Sequence, residues 1–133
     1  MRARPLLLII AALAAVAALA VVTSASGAAS MTSGKAATVA VRKTKLGTVL
    51  VDARGHTLYL FMKDKKNKSE CAGSCAKFWP PLMTTGKPKA GKGVQAKLLG
   101  TTVRKAGRQV TYAGHPLYTY AGDEKAGQTN GQG

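Results

Sequence analysis

The sequence predicts a mainly β protein: a small domain of two related β-hairpins with pseudo-two-fold symmetry, one short helical turn near the cysteines, and a separate N-terminal apolar signal helix. The main observation is that GHTLYLFMKD (55–64) returns 59 positions later as GHPLYTYAGD (114–123). Short β-branched or alternating runs punctuated by glycine are typical of strands, and no long 3.6-residue period supports a substantial helix. Only CAGSCAKFW resembles a helical turn, which Pro80 and Pro81 end.

The first 26 residues are predicted to be an export signal. Arg2 and Arg4 precede an uninterrupted apolar run over residues 6–22, and small residues follow it. The alternative is a retained membrane anchor, because 17 apolar residues lie at the lower limit for crossing a bilayer. In both cases we expect the rest of the protein to be secreted or otherwise extracytoplasmic.

The remaining chain is predicted to form one domain. Residues 27–38 are rich in Ser, Gly, Ala and Thr, which is typical of a flexible linker. The following 39–133 suffice for one small domain rather than two. We place repeat 1 at about 46–82 and repeat 2 at about 98–133.

Each copy of the repeated phrase is expected to form a β-hairpin. The predicted strands are 48–52 and 57–62 in the first copy, and 108–112 and 116–121 in the second. Gly55 and Gly114 are expected to supply the positive φ of each turn.

Aromatic residues are expected to form most of the core. In the first copy, the two-residue period of a strand places Tyr59 and Phe61 on one face and the neighbouring leucines on the other. Tyr118 and Tyr120 repeat this pairing. The aromatic residues all lie between residues 59 and 120, so we expect the core there, with residues 49–51 added. An aromatic ligand groove is the alternative.

Cys71 and Cys75 are predicted to form a disulfide. An exported protein with two cysteines most simply pairs them, and the short loop pins a local turn beside Trp79. Metal or redox chemistry is the alternative, although no His follows Cys75 and a redox pair normally has two intervening residues.

The net charge of +15 indicates a basic protein whose lysines cluster in KDKKNK and KPKAGK. The simplest interpretation is a solvated surface. The alternative is attraction to an anionic envelope polymer or an anionic membrane surface. Sequence-specific nucleic-acid binding is not expected, because no aromatic residues interleave these runs. The sequence does not indicate an oligomeric state.

The two histidines, His56 and His115, occupy equivalent positions and could form a metal site on the symmetry axis. Such a site needs further donors, for which the candidates are Asp64, Asp123, Met62 and Met83. The simpler hypothesis is that each His closes its turn by bonding the backbone. We therefore predict no metal or cofactor, and keep the histidine site as the alternative.

The paired aspartates, Asp64 and Asp123, could in principle act as an acid and a base across a cleft. Their fixed place after each aromatic pair favours a structural role instead. We expect each to cap the turn that follows its strand, accepting backbone N–H bonds or a tyrosine hydroxyl.

Both phrases fit the motif Y-x-(F/W/Y)-x-x-D. The motif residues are Tyr59, Phe61, Asp64, Tyr118, Tyr120 and Asp123. Together with LVDARGHTLY, CAGSCAKFWPPL and the C-terminal QVTYAGHPLYTYAGDEKAGQTNGQG, they make the chain resemble the secreted-repeat family of predicted bacterial lipoproteins named for this motif. The resemblance covers roughly residue 46 to the end, and it implies an exported protein of a family without an established activity.

Two departures from the family pattern have consequences. Many relatives carry a lipid-attached cysteine at the mature start, whereas the first cysteine here is Cys71, so a lipid anchor is not expected. Relatives also tend to continue beyond the NGQG phrase into a short Trp-bearing strand, so the resemblance implies either that the final strand is missing or that the sequence is a fragment of a longer protein.

These observations predict an exported, non-enzymatic binding or structural module of the cell envelope. No nucleophile elbow, phosphate loop or Ser-His-Asp arrangement is present. The alternative function is a metal-binding or electron-transfer accessory protein that uses the two histidines.

Overall fold

The computed structural model describes residues 35–133, which form a mainly β fold, as the sequence predicts. Its elements are β1 Thr38–Thr44, β2 Gly47–Val51, α1 Ser74–Phe78, β3 Met83–Thr84, β4 Lys89–Ala90, a 3-10 turn Ala96–Leu98, β5 Leu99–Arg104, β6 Gly107–Tyr112 and β7 His115–Pro116. The predicted signal and most of the predicted linker lie outside the described residues. Strand β1 begins at the last residue assigned to that linker.

Two antiparallel hairpins form the framework. Strands β1 and β2 pair from Ala40 opposite Val51 to Thr44 opposite Gly47, and β5 pairs with β6 in the same way. Parallel pairing of β4 with β1 completes a sheet of order β2-β1-β4. The other sheet has the order β3-β6-β5, and β7 also pairs with β6.

The strands predicted at 57–62 and 116–121 are much shorter in the structure, so their predicted lengths were wrong. In the first copy only Thr57 and Tyr59 form single bridges, and in the second β7 covers two residues before the bridge at Tyr118. The reason is that the chain leaves its own hairpin to pair with the other repeat. The main partner of β2 is therefore β1, and the main partner of β6 is β5.

A pseudo-two-fold relation between the repeats is visible in this pairing. The Tyr59 N–H donates to the Tyr118 carbonyl at 2.7 Å, and the Tyr118 N–H donates to the Tyr59 carbonyl at 3.0 Å. Because equivalent residues exchange both bonds in an antiparallel bridge, the local two-fold axis passes between them.

The same reciprocity recurs at the two motif turns. Gly55 and Gly114 both have φ +85°, as predicted, and each carbonyl accepts a bond from the loop that follows the other aspartate. The donors are Gly127 N–H to Gly55 at 3.2 Å and Asn67 N–H to Gly114 at 2.7 Å. The turn of each repeat is therefore fixed by the other repeat.

The buried cluster at the centre of the core is aliphatic and consists of Val39, Leu58, Val110 and Leu117. The predicted aromatic core is confirmed at Tyr118, which is fully buried, but not for the other aromatic residues. Val39 is fully buried although it precedes the interval assigned to the core, because it packs in this cluster. The alternation expected for the first-copy leucines fails at Leu60, which is 49% exposed.

The connection between the repeats contains the predicted disulfide and helical turn. Cys71 and Cys75 are bonded, with their Cα atoms 5.3 Å apart. Cys75 lies in helix α1, and the Trp79 N–H caps this helix by donating to the Cys75 carbonyl at 2.9 Å before Pro80 ends it. The connection then adds β3 to the sheet of repeat 2.

Within residues 35–133, no helix combines the length and apolar character needed to cross a membrane.

Candidate functional site

The motif tyrosines and aspartates form two hydrogen bonds that cross between the repeats. The Tyr59 hydroxyl donates to Asp123 Oδ2 at 2.5 Å, and the Tyr118 hydroxyl donates to Asp64 Oδ2 at 2.6 Å. Bonds of this length between a hydroxyl and a carboxylate are typical of charge-assisted pairs, which are stronger than neutral ones. Each copy of the motif therefore supplies the partner that the other copy needs.

The second oxygen of each carboxylate holds the following loop. Asp64 Oδ1 accepts from the Glu70 N–H at 2.7 Å, and Asp123 Oδ1 accepts from the Asn130 N–H at 2.8 Å. Each aspartate thus bonds both a tyrosine hydroxyl and a backbone N–H, the two kinds of partner expected from the sequence. That the tyrosine comes from the other repeat was not foreseen.

Ser69 completes the network around Tyr118. Its Oγ accepts from the Cys71 N–H at 3.1 Å and from Arg104 Nη1 at 2.5 Å. Since the single Tyr118 proton goes to Asp64, the Ser69 hydroxyl is the donor in its 2.6 Å bond to the Tyr118 oxygen. The same arginine donates to the Cys71 carbonyl at 2.7 Å, which ties the disulfide loop to β5.

A buried glutamine links this network to the core. Gln109 is fully buried, accepts from Arg104 Nη1 at 3.0 Å and donates to the Leu117 carbonyl at 2.8 Å. Among the described residues no buried side-chain nitrogen or oxygen lacks a partner. A buried network whose members are all satisfied specifies one arrangement of the chain.

Burial and the hydrogen bonds to the carboxylates shift the pKa values of both motif phenols in the same direction. Removal from water, followed by the bond to Asp123, raises the pKa of Tyr59 to about 12. Burial, followed by the bond to Asp64, likewise raises the pKa of Tyr118. In each case the negative carboxylate opposes a second negative charge on the phenol, so both phenols are protonated donors at neutral pH.

Three aromatic rings close around Gly131 in the C-terminal loop. Trp79 lies edge-on to Tyr59 at 5.4 Å between centroids and packs on Tyr120 at 4.7 Å. A Cβ on Gly131 would meet atoms of all three rings at 2.9 to 3.0 Å. The Gly131 N–H also donates to the Tyr59 hydroxyl at 3.1 Å. The lack of space between the rings favours glycine here, whereas any residue other than proline could donate this bond.

The histidines do not close their turns through their side chains. In the first turn, Asp52 Oδ1 accepts from the His56 N–H at 2.9 Å and from the Arg54 N–H at 2.9 Å. The His56 Nδ1 lies 3.9 Å from the other Asp52 oxygen, and His115 is exposed. The hypothesis that the histidine side chains close the turns is therefore corrected: in the first turn the Asp52 carboxylate accepts the backbone N–H bonds of Arg54 and His56.

No group of three or more His, Cys, Asp or Glu side chains in residues 35–133 is arranged to hold a metal ion. Asp64 and Asp123, the further ligands considered with the histidines, have both oxygens engaged in the network above.

An open apolar cleft lies on the repeat 1 side of the network. Its volume is about 760 Å³, and Leu46, Leu50, Leu58, Leu60 and Met62 contribute much of its wall. Tyr59, Trp79 and the C-terminal residues Gly131 and Gly133 also line it, and Lys63 is its one charged side chain. No Asp or Glu side chain contributes to this wall.

The exposed charges of the surface are predominantly positive. Only Arg2 and Arg4 of the 20 basic residues precede residue 35, so the described part carries 18 basic and 5 acidic residues, a formal charge of +13. Arg104 is partly buried, and the other 17 basic side chains are exposed. Asp52 and Asp123 are buried and Asp64 is half-buried, which leaves Glu70 and Glu124 as the exposed carboxylates.

Family models match the chain twice, over residues 40–83 and 100–133, and the matching family is described as a secreted repeat of unknown function. Each match contains one complete motif, and together they cover more than half of the chain. The chain belongs to this family. Members of the secreted-repeat family are described as secreted, which supports an extracytoplasmic location. No curated protein and no solved structure matches the chain.

Several residues that build this secreted-repeat site were not identified from the sequence. They are Ser69, Arg104, Gln109, Asn130 and Gly131. The one signal that could have found any of them is the conspicuous TNGQG ending of the second copy. The other partners are isolated polar residues whose importance depends on contacts distant in sequence.

Proposed function

We propose that the protein is an exported, non-enzymatic binding module whose basic surface associates with an anionic component of the cell envelope. The observation that carries the proposal is the excess of positive charge on the surface: 17 basic side chains are exposed, compared with two Asp or Glu side chains. In residues 35–133 the one contact within 4.0 Å between a basic and an acidic side chain joins His56 and Asp52, so no lysine or arginine there is paired with a carboxylate.

The chemistry of these charges favours an extended polyanion as the partner over a single anionic group of defined shape. Most of the exposed basic residues are lysines, which act as point charges and lack the planar fork with which arginine reads one anionic group. Such a surface binds a polyanion mainly by releasing its counterions. An anionic envelope polymer or an anionic membrane surface provides the required density of negative charge.

The role of the motif supports a binding module over an enzyme. Asp64 and Asp123 are the repeated carboxylates, and each has both oxygens bound to a tyrosine hydroxyl and a backbone N–H. A general base directs an oxygen at a substrate proton, whereas each of these oxygens is directed at a tyrosine hydroxyl or a backbone N–H within the fold. The repeated chemistry of the duplicated phrase thus supports a role in holding the repeats together.

The test measures binding of residues 35–133 to immobilised polyphosphate and to phosphatidylglycerol vesicles, with phosphatidylcholine vesicles as the uncharged control. We expect affinity for the anionic targets to fall by about tenfold or more between 50 and 200 mM salt. The two anionic targets distinguish a polymer from a membrane surface. Binding that is absent, or that salt does not weaken, would contradict the proposal.

Two matched triple variants test whether the charge acts diffusely. One replaces Lys65, Lys66 and Lys68 with Gln, and the other replaces Lys87, Lys89 and Lys92 with Gln; all six side chains are exposed. Both variants remove three charges, so we expect similar losses of affinity, within about twofold, and a shallower salt dependence. Loss confined to one variant would overturn the diffuse mode in favour of a localised site.

A further inference from the structure

The loop after Asp123 contains an asparagine that is followed by a glycine, Asn130 and then Gly131. This dipeptide is prone to lose the asparagine amide, because the backbone nitrogen of the second residue can attack the side-chain carbonyl carbon of the first. A glycine in the second place favours the attack, since it has no Cβ to hinder the nitrogen and its backbone adopts more conformations than that of other residues. The chain has one other asparagine, Asn67, and a lysine follows it.

The equivalent position of repeat 1 cannot undergo this reaction. The Glu70 N–H donates to Asp64 Oδ1 as the Asn130 N–H donates to Asp123 Oδ1, so the two residues correspond across the axis. Glu70 has no amide to lose, and the disulfide-bonded Cys71 follows it. The amide chemistry is thus confined to repeat 2, although both loops close on their aspartates in the same way.

The fold engages the nitrogen that would attack. The Gly131 N–H donates to the Tyr59 hydroxyl oxygen at 3.1 Å, and the proton of that hydroxyl goes to Asp123 Oδ2. The nitrogen must lose its proton as it attacks, and a phenol that keeps its own proton is a poor base for this step. The rings around Gly131 also restrict its backbone, because even a Cβ at this residue would meet them at 2.9 to 3.0 Å.

The fold also holds the group that would be attacked. Asn130 Nδ2 donates to the Gly122 carbonyl at 3.2 Å, and the Asn130 N–H donates to Asp123 Oδ1 at 2.8 Å. Reaction requires the attacking atom to approach the carbon to about 3 to 3.5 Å with the correct alignment. The two reacting groups are instead bonded to different parts of the fold. Asn130 is exposed, so water reaches it and the barrier in the closed loop is conformational.

We propose that Asn130 is a site of covalent modification, which the hydrogen bonds of its loop to Tyr59 and Asp123 keep unreactive. When the loop opens, the Gly131 nitrogen forms a bond to Asn130 Cγ, and the bond from Cγ to the side-chain nitrogen breaks. The proton of the Gly131 N–H passes through water to the departing nitrogen, which leaves as ammonia, and a five-membered succinimide remains. Water then adds to either carbonyl of the ring and breaks its bond to nitrogen, which gives aspartate or isoaspartate at residue 130.

Both products fit the closed loop less well than asparagine does. A carboxylate at residue 130 cannot donate the bond that the amide gives to the Gly122 carbonyl. It also brings a second negative charge near Asp123, whose Oδ1 accepts the N–H of the same residue. Isoaspartate in addition lengthens the backbone before Gly131 by one methylene. A reversible opening of the loop is thereby made permanent.

The test follows loss of the amide in purified protein at 37 °C and about pH 8, both folded and unfolded in guanidinium chloride. Trypsin cleaves after Lys125, so the peptide that begins at Ala126 contains Asn130, and mass spectrometry measures the conversion of its amide to a carboxylate. We expect the folded protein to react at least about tenfold more slowly, because the loop must open first. Equal rates in the two states would overturn the proposal. This covalent readout does not depend on the binding proposed above.

Asn67 is the internal control in the unfolded protein. The residue after it is Lys68, whose side chain hinders the attacking nitrogen, so Asn67 should react more slowly than Asn130. A faster reaction at Asn67 would contradict the assignment of Asn130 as the site.

Two phenylalanine variants show which contact protects the site. Tyr59→Phe removes the oxygen that accepts the Gly131 N–H and should raise the rate in the folded protein at least about fivefold. Tyr118→Phe is the matched control, because it removes the other crossed bond, to Asp64, and leaves the contacts of this loop intact. It should leave the rate unchanged within about twofold, since local opening requires less free energy than global unfolding. Equal acceleration by both variants would assign the reaction to global unfolding and overturn the role of Tyr59.

A titration of the wild-type protein decides the question if Tyr59→Phe fails to fold. The rate of amide loss and the circular dichroism are measured together at increasing guanidinium chloride concentrations. A rate that rises before the global transition supports opening of the loop by itself. A rate that rises only with the global transition would overturn the proposal.

Discussion

At the scale of single residues, the motif is explained by the hydrogen bonds its side chains form. Tyrosine provides a ring that packs and a hydroxyl that reaches across the axis, and aspartate is short enough to accept that hydroxyl and a nearby backbone N–H together. Phe61 has the same place as Tyr120 but no hydroxyl, and it packs edge-on against Tyr118 at 6.4 Å. The third motif position therefore requires only an aromatic ring.

Removing one motif hydroxyl should destabilise the domain. Tyr59→Phe keeps the ring but removes the hydroxyl that donates to Oδ2 of the buried Asp123. We expect the free energy of unfolding to fall by about 1 to 3 kcal/mol, because an acceptor left unsatisfied loses its bond without regaining water. Urea denaturation at pH 7 measures the change.

Tyr118→Phe should act in the same way on Asp64, and Tyr120→Phe is the matched control. The Tyr120 hydroxyl has no side-chain hydrogen bond within the described chain, whereas its ring packs on Trp79. We therefore expect a loss of less than about 0.5 kcal/mol for the control. Equal effects of all three substitutions would show that ring polarity, rather than the crossed bonds, sets the stability.

The raised phenol pKa predicts a loss of stability at high pH. A phenol in the unfolded chain ionises near pH 10, whereas burial and Asp123 raise the pKa of Tyr59 to about 12 in the fold. Between these values the folded state holds a proton that the unfolded state has released, so stability falls as pH rises. Below pH 10 this contribution is fully present.

The difference between the wild-type protein and Tyr59→Phe isolates this effect from other groups that titrate at high pH. Unfolding free energies at pH 7, 9, 10.5 and 11.5 should show the advantage of the wild type constant up to about pH 10 and shrinking above it. An advantage that grows with pH would contradict the assignment of Tyr59 as a protonated donor.

At the scale of elements, the loop after each aspartate is held by a hydrogen bond to that aspartate. The loop after Asp123 returns to that carboxylate through Asn130, and Gly131 then enters the space between Trp79 and two tyrosine rings. The loop after Asp64 returns through Glu70 and leads into the disulfide. Unrelated loop sequences thus form equivalent closures because Oδ1 of each aspartate accepts a backbone N–H of the loop, which does not depend on the loop's side chains.

The close approach at Gly131 predicts that a single methyl group will be costly. Gly131→Ala should lower the free energy of unfolding by about 1 to 3 kcal/mol, because the rings that meet the new Cβ also pack on one another and cannot all move away. Thermal unfolding monitored by Trp79 fluorescence gives the measurement. Gln132→Ala is the control on the neighbouring exposed residue, and an equal loss there would attribute the effect to the loop alone.

At the scale of the whole molecule, the repeats exchange partners and cannot satisfy themselves separately. Three reciprocal contacts cross the axis: the Tyr59 and Tyr118 backbone bridge, the hydroxyl to carboxylate bonds, and the loop bonds to the turn glycines. The segment that follows the first motif also supplies β3 to the second sheet. The duplicated phrase is therefore half of one folding unit rather than a small domain in itself.

This reciprocity predicts one cooperative unfolding transition for residues 35–133. Far-UV circular dichroism and Trp79 fluorescence should report the same midpoint. Asp64→Asn and Asp123→Asn each place an amide donor against a tyrosine hydroxyl or a backbone N–H, and each should lower both midpoints together by about 1 to 3 kcal/mol of stability. Separate transitions in either variant would contradict a single unit.

The sequence determined the mainly β class, the duplication, the turn glycines, the short helix and the disulfide. These features depend on neighbours within a few residues: a two-residue period, a glycine at a turn, a proline after a helix, and two cysteines four positions apart. Local backbone preferences and short loop closures act over such distances, so one chain segment suffices to predict them.

The tertiary structure alone decided which tyrosine binds which aspartate and that Val39 is core. Tyr59 could have bonded Asp64 in its own repeat; the antiparallel pairing across the axis places Asp123 there instead. Val39 is buried because it belongs to one cluster with Leu58, Val110 and Leu117, which lie later in the chain. Such contacts join residues far apart in the chain, and their energies depend on a geometry that exists only after both repeats have met.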